Sequence, residues 1–141
     1  MSETASRQTI LVVDDTPVIL KMLSKQLEHW GYRVVTAASG EEGLQRAETE
    51  RPDLILLDIL MPKMKGREVC ARLKVNPATK DIPVMFLTAL GLGEYVRAGL
   101  DVGGDDYIIK PFRPTYLRER IRVCLLRHQQ GGESRANGQG A

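Results

Sequence analysis

Pro52-Asp53-Leu54-Ile55-Leu56-Leu57-Asp58-Ile59-Leu60-Met61-Pro62-Lys63-Met64-Lys65-Gly66 carries four apolar residues in a row, Leu54 to Leu57, that run without polar alternation into a single carboxylate, Asp58. The proline and glycine that follow stop the strand. A short continuous apolar run of this kind is expected in a strand buried on both faces, as in a parallel sheet, with Asp58 emerging at its C-terminal edge. In open α/β sheets that edge is where ligands and chemistry sit.

Working outward, other strands deliver polar residues to the same edge. Upstream, Ile10-Leu11-Val12-Val13 ends in Asp14 and Asp15. Asp15 or Thr16 can cap the helix that follows, and Pro17 suits its first position. Leu20, Leu23, Leu27 and Trp30 give that helix one apolar face, and Gly31 ends it. Arg33 to Ala37 reads as a brief strand, and Ser39 with Glu42 matches a capping box opening a helix to about Glu50. Downstream, a helix is expected from about Gly66 to Val75, with Asn76-Pro77 breaking it. Ile82 to Leu87 is a fourth strand ending at Thr88, and Asp106 to Ile109 a fifth ending in Lys110-Pro111-Phe112. Between them Ala89 to Gly99 reads as a weak helix, because Gly91, Gly93 and Gly99 each lower its propensity by up to about 1 kcal/mol relative to alanine. A last helix starts near Arg113 or Pro114, with Leu117, Ile121, Cys124 and Leu125 facing the core.

Five strands alternating with five helices predict a parallel α/β sheet covered on both faces by right-handed crossovers. The 141 residues suffice for one domain with a core of its own. Residues 1–8 are expected to be flexible, and residues 129–141, rich in Gln, Gly, Ser and Asn without apolar periodicity, to form a disordered tail. A net charge of +2 sets up no field that points to nucleic acid or an anionic membrane. The apolar runs are too short to span a bilayer and the polar N-terminus has no signal core, so a cytoplasmic protein is expected. Cys70 and Cys124 lack metal-ligand spacing and read as small buried hydrophobes.

Asp14, Asp15, Asp58, Thr88 and Lys110 therefore converge on one edge. Three carboxylates there repel one another, so at neutral pH they need a cation or raised pKa values. Mg²⁺ suits them, since it takes hard oxygen ligands and commonly joins carboxylates to a phosphate. Asp58 stands alone on its strand and can act as a nucleophile that forms an acyl phosphate. Lys110 can pair with phosphoryl oxygens, and Thr88 can donate a hydrogen bond to one of them. Each residue has an ordinary reading as a cap, a turn or a surface lysine, but together those readings require coincidences at four strand ends.

Val13-Asp14-Asp15, Leu57-Asp58-Ile59-Leu60-Met61-Pro62 with Gly66, Leu87-Thr88-Ala89 and Asp106-Tyr107-Ile108-Ile109-Lys110-Pro111-Phe112 together resemble the receiver domain of two-component response regulators, over residues 9–128. The resemblance implies a flavodoxin-like (βα)5 sheet of order 2-1-3-4-5. It implies phosphoryl transfer to Asp58 from a histidine kinase or histidine phosphotransfer protein. It further implies that Asp15 and Asp58 bind Mg²⁺ directly, Asp14 does so through water, and the Leu60 backbone carbonyl completes the set. Thr88 and Tyr107 match the family's switch positions, so phosphorylation would reshape the face made by the fourth helix, the fifth strand and the fifth helix. Leu60 and Leu90 flank the path of the hydrolytic water in receivers; neither can orient it, so slow self-dephosphorylation is expected.

The expected protein is a stand-alone phosphoacceptor switch rather than an enzyme acting on outside substrates, since Leu60 stands where aspartyl phosphatases carry a second acid. An unknown downstream protein or a second copy is expected at the switch face. Direct contact with nucleic acid is not expected, because no recognition helix is present. Arg113, Arg118, Arg120, Arg122 and Arg127 against the single Glu119 read either as a solvated basic face or as a partner site. A phosphorylation-independent interaction module is the alternative, against which the intact acids, threonine and lysine argue.

Overall fold

The structure is a computed structural model that describes residues 7–89 and 103–140, with side chains for residues 7–87 and 103–128. At its centre, β3 (Leu54–Asp58) and β1 (Thr9–Val13) are buried along their whole lengths and pair in parallel. β2 (Arg33–Ala37) flanks β1; β4 (Val84–Ala89) and then β5 (Asp106–Lys110) follow β3, giving the parallel order β2-β1-β3-β4-β5. The edge strands β2 and β5 are only partly buried. The distinction has a simple cause: strands covered on both faces are apolar along nearly their whole length, with Thr9 and Asp58 only at their ends, whereas edge strands keep polar side chains in water.

Four helices are described: α1 (Pro17–His29), α2 (Gly40–Glu50), α3 (Gly66–Val75) and α4 (Pro114–Gly140). Strand pleating splits the core in two. Leu11, Val13, Ile55 and Leu57 face Ala47 of α2 and Val69, Cys70 and Leu73 of α3. Ile10, Val12, Leu54 and Leu56 face Leu23 and Leu27 of α1 and Leu117, Ile121 and Cys124 of α4. Each leucine- or isoleucine-sized side chain so buried contributes roughly 1.5–3 kcal/mol. Both cysteines are buried in these layers, where desolvation pushes their thiols up to about 11, so they pack as apolar groups.

Helix ends follow local chemistry. Thr16 occupies the N-cap of α1 without a side-chain bond; instead Asp14 Oδ1 accepts from its backbone N–H at 2.9 Å. Gly31, at φ +97°, turns the chain away after α1 and donates its N–H to the Glu28 carbonyl. At α2, Ser39 Oγ accepts from the Glu42 N–H at 3.1 Å, while Glu42 Oε1 accepts from the Ala38 N–H at 2.8 Å, one residue before the usual capping-box partner. Ser39→Ala is expected to destabilise the domain by about 1 kcal/mol in urea denaturation; an unchanged midpoint would mean that the cap contributes nothing.

Several sequence expectations are modified. The fourth strand begins at Val84 rather than Ile82, since Pro83 has no N–H to give, although its carbonyl accepts from Ile55 N at 3.0 Å. Ala89, expected to open a weak helix, is the last residue of β4, and the remainder of that predicted helix lies outside the described residues. Residues 129–140, expected as a disordered tail, continue α4 to Gly140. Backbone i to i−4 bonding needs no apolar stripe, so that composition does not forbid a helix. Residues 1–6 also lie outside the described part. Among the described residues no helix is long and apolar enough to cross a membrane.

A staple not foreseen from sequence lies at the N-terminal edge of the sheet. Lys74 Nζ, at the end of α3, donates to the Ile82 carbonyl at 2.8 Å and lies 3.6 Å from Asp105 Oδ2. The same Asp105 oxygen accepts from Val84 N at 2.8 Å, so one lysine ties together the starts of β4 and β5.

Candidate functional site

At the opposite edge, β1 and β3 end beside each other, so their terminal acids meet. One carboxylate oxygen from each of Asp14, Asp15 and Asp58 lies within 4.8 Å of the others. Asp14 is fully buried and Asp58 nearly so, while Asp15 is the most accessible of the three. Lys110, at the end of β5, reaches across the end of β4 to place Nζ 3.2 Å from Asp14 Oδ2 and 3.8 Å from Asp58 Oδ1. The Lys110–Pro111 peptide is cis. The Leu60 backbone N–H donates to Asp58 Oδ1 at 3.3 Å.

Burial pushes the Asp58 carboxyl up to about 6 from 3.8; Lys110 pulls it down, the charge of Asp14 raises it, the Leu60 N–H lowers it, and Asp15 raises it further. Two acids and desolvation thus outweigh one ammonium and one amide. The cluster carries more negative charge than its neighbours neutralise, and its converging oxygens fit a hard divalent cation.

Backbone packing below Asp58 sets its position. Gly66 N donates to the Ile59 carbonyl at 2.8 Å, and a Cβ on Gly66 would fall 2.2 Å from the Asp58 carbonyl oxygen. Lys63, at φ +69°, turns the intervening loop, with Met64 N donating to the Pro62 carbonyl at 2.7 Å. Thr88 pairs in register with Ile109, one residue before Lys110, which puts its backbone at the same edge; its side chain lies outside the described part, as does all of Leu90.

The sequence model of the response regulator receiver domain matches residues 10–122. The chain belongs to the response regulator receiver domain family. The alkaline phosphatase synthesis transcriptional regulatory protein PhoP of Bacillus subtilis is 44% identical over 120 residues, which cover 85% of this chain and 49% of that protein. This chain spans about half the length of the curated relatives it matches. The crystal structure of a CheY-like response regulator receiver domain protein from Methanospirillum hungatei superposes with a TM-score of 0.82 at 35% identity, covering 89% of this chain and 99% of that one. The receiver domain of the sensor histidine kinase PA1611 from Pseudomonas aeruginosa, solved with a magnesium ion coordinated in its active-site cleft, is 30% identical with a TM-score of 0.79, covering 85% of this chain and 98% of that one.

In this receiver domain, two residues singled out from the sequence stand at the rim rather than inside the acid cluster. Leu60 is 40% exposed, and Tyr107, in the exposed edge strand β5, is 37% exposed. Asp106, next to Tyr107, had no role assigned from sequence; it is gripped by Arg120 of α4 through Nε at 2.8 Å and through Nη2. No local spacing signals that pair, because the partners are brought together only by the docking of α4 on β5.

Proposed function

We propose that this receiver domain is a phosphoacceptor switch of a two-component phosphorelay in the cytoplasm, taking a phosphoryl group onto Asp58 from a histidine kinase or histidine phosphotransfer protein. The observation that carries this reading is the gathering of three carboxylates within 4.8 Å, with Lys110 Nζ at 3.2 and 3.8 Å from two of them. Asp14, Asp15, Asp58 and the Leu60 carbonyl would hold Mg²⁺, which when bound supplies the positive charge that lets an anionic phosphoryl group approach these acids. An Asp58 carboxylate oxygen attacks phosphorus, the P–N bond to the donor imidazole breaks, and the imidazole leaves with the electron pair and takes up a proton. Lys110 then releases Asp14 for the phosphoryl oxygens, and Thr88 donates its hydroxyl proton to one of them. The chain modifies itself and does not turn over outside substrates.

Val18 and Met22 are 72% and 49% exposed and one turn apart on α1, which leaves the acid pair directly. They suit the apolar side of a docking phosphodonor. Thr88 and Tyr107 would report the phosphoryl group to the face of β5 beside α4, where exposed Tyr107 and Ile109 favour a downstream protein or a second copy over nucleic acid. Incubation with acetyl phosphate should add one phosphoryl group per chain with Mg²⁺ and none with a chelator, read by intact-protein mass spectrometry. Labelling that ignores the metal, or none at all, would reject the reading.

Leu60 also bears on timing. An exposed apolar side chain two residues beyond Asp58 cannot orient water for hydrolysis of an acyl phosphate. Leu60→Asn, alone or with Leu90→Glu, is expected to speed acyl-phosphate decay by about 10-fold, within the range of positioned polar groups in proton-transfer steps. Decay that is equal or slower in the double variant would show that these positions do not limit hydrolysis.

A further inference from the structure

Among the described residues, the arginines of α4 take no part in the acid cluster. Arg120 turns inward onto Asp106. Arg118 and Arg122, one turn apart, turn instead toward the end of α1 and the start of β2. The Arg118 guanidinium lies over the Trp30 ring, 5.7 Å from its centroid, and no carboxylate pairs with it among the described residues. Held over an aromatic face, this guanidinium keeps N–H donors that no acceptor among the described residues uses, so it can take a carboxylate. Arg122 is held by Glu119 at 3.2 and 2.6 Å, but both side chains are 56% exposed, so the pair is weak enough to be shared with an incoming acid. Burial pushes the Tyr32 phenol up, and the charges of Arg118 and Arg122 pull it down.

Beside Arg122 and Tyr32 opens a cavity of about 290 Å³, lined also by Gln8, Leu125 and Leu126. Leu126 is 43% exposed at its lip. The flank thus combines two guanidiniums, one of them paired with Glu119, with an open cavity that has a leucine wall and a polar one. Nucleic acid fits it poorly, since tracking a phosphate backbone calls for an extended basic groove, whereas this patch has two guanidiniums on a chain of net charge +2.

We propose that this flank, on the α1/α4 side of the domain, binds an acidic amphipathic segment of another protein, with its carboxylates on Arg118 and Arg122 and one apolar side chain in the Tyr32–Leu126 cavity. Charge complementarity supplies orientation, and the cavity supplies the apolar anchor that interfaces concentrate their energy in.

The test uses the full chain and a synthetic helical peptide of glutamate and alanine carrying a Leu-Phe anchor pair. Trp30 is the single tryptophan, so its emission reports occupancy beside the anisotropy of a labelled peptide. Binding should be saturable, change Trp30 emission, and weaken at least about 10-fold in Arg118→Glu/Arg122→Glu. Arg118→Lys/Arg122→Lys, which keeps the charge but loses the planar fork, should weaken binding less than charge reversal does, and Leu126→Glu should weaken binding by removing the apolar lip. Thermal melting and Asp58 labelling, both expected to be unchanged, show that these variants remain folded. The proposal is overturned if charge reversal leaves the affinity within about 2-fold, or if the peptide without its Leu-Phe pair, or a single-stranded oligonucleotide, binds as tightly. It is equally overturned if the chain alone self-associates through this flank, seen as concentration-dependent sedimentation abolished by charge reversal.

Discussion

Gly66→Ala should destabilise the domain by about 3 kcal/mol or more and impair phosphoryl uptake with it. The added Cβ would stand 2.2 Å from the Asp58 carbonyl oxygen, 2.8 Å from Ile59 Cα and 2.9 Å from the Asp58 carbonyl carbon. All three are backbone atoms, so no rotamer change relieves the clash, and the strand end that carries Asp58 has to move. The Gly66 N–H bond to Ile59 at 2.8 Å is strained by the same movement. Urea denaturation and acetyl-phosphate labelling measure the two effects. A stability loss below about 1 kcal/mol would show that α3 can slide away without disturbing β3.

Asp58→Asn should abolish phosphoryl uptake, lowering it by at least about 10³-fold, because an amide offers no anionic oxygen to attack phosphorus. Without metal the same change should stabilise the fold, with a defined pH signature. The Asp58 carboxyl titrates near 6 when folded and near 3.8 when free, so between these pH values the folded state holds more protons than the unfolded state. Wild-type stability therefore falls as pH rises through that interval, whereas Asp58→Asn lacks this contribution. The full difference corresponds to at most about 3 kcal/mol. Urea denaturation in chelator should find the two proteins separated by up to this amount at pH 7, with that separation lost near pH 4. A gap that is constant with pH would mean that ionised Asp58 is not the source.

The uninterrupted Leu54–Leu57 run announces a strand covered on both faces, and Ile10–Val13 announces its neighbour, so the two central strands were legible from hydrophobic pattern. Their terminal acids were legible as a cluster because parallel strands share one C-terminal edge. The pairing order required resemblance, since an apolar run does not name its partner. Side-chain staples were hidden for the same reason: Lys74 with Asp105 and Asp106 with Arg120 are distant in sequence, and each looks like an ordinary surface charge until the helices dock. Gly66 was read as a strand stop, but its lack of a side chain is spent on close packing against Asp58. The capping box was readable from Ser39 and Glu42, but its closure on Ala38 rather than the cap residue depends on backbone direction before α2.

The two ends of β5 are held by different masters. Lys110 is tied to the acids of β1 and β3, whereas Asp106, four residues earlier, is tied to Arg120 of α4. At about 3.3 Å per residue these tethers stand roughly 13 Å apart along an extended, nearly inextensible segment. The side-chain tie to the acid cluster and the side-chain tie to α4 therefore fall on opposite ends of one short strand, whose backbone is held in register by β4 between them.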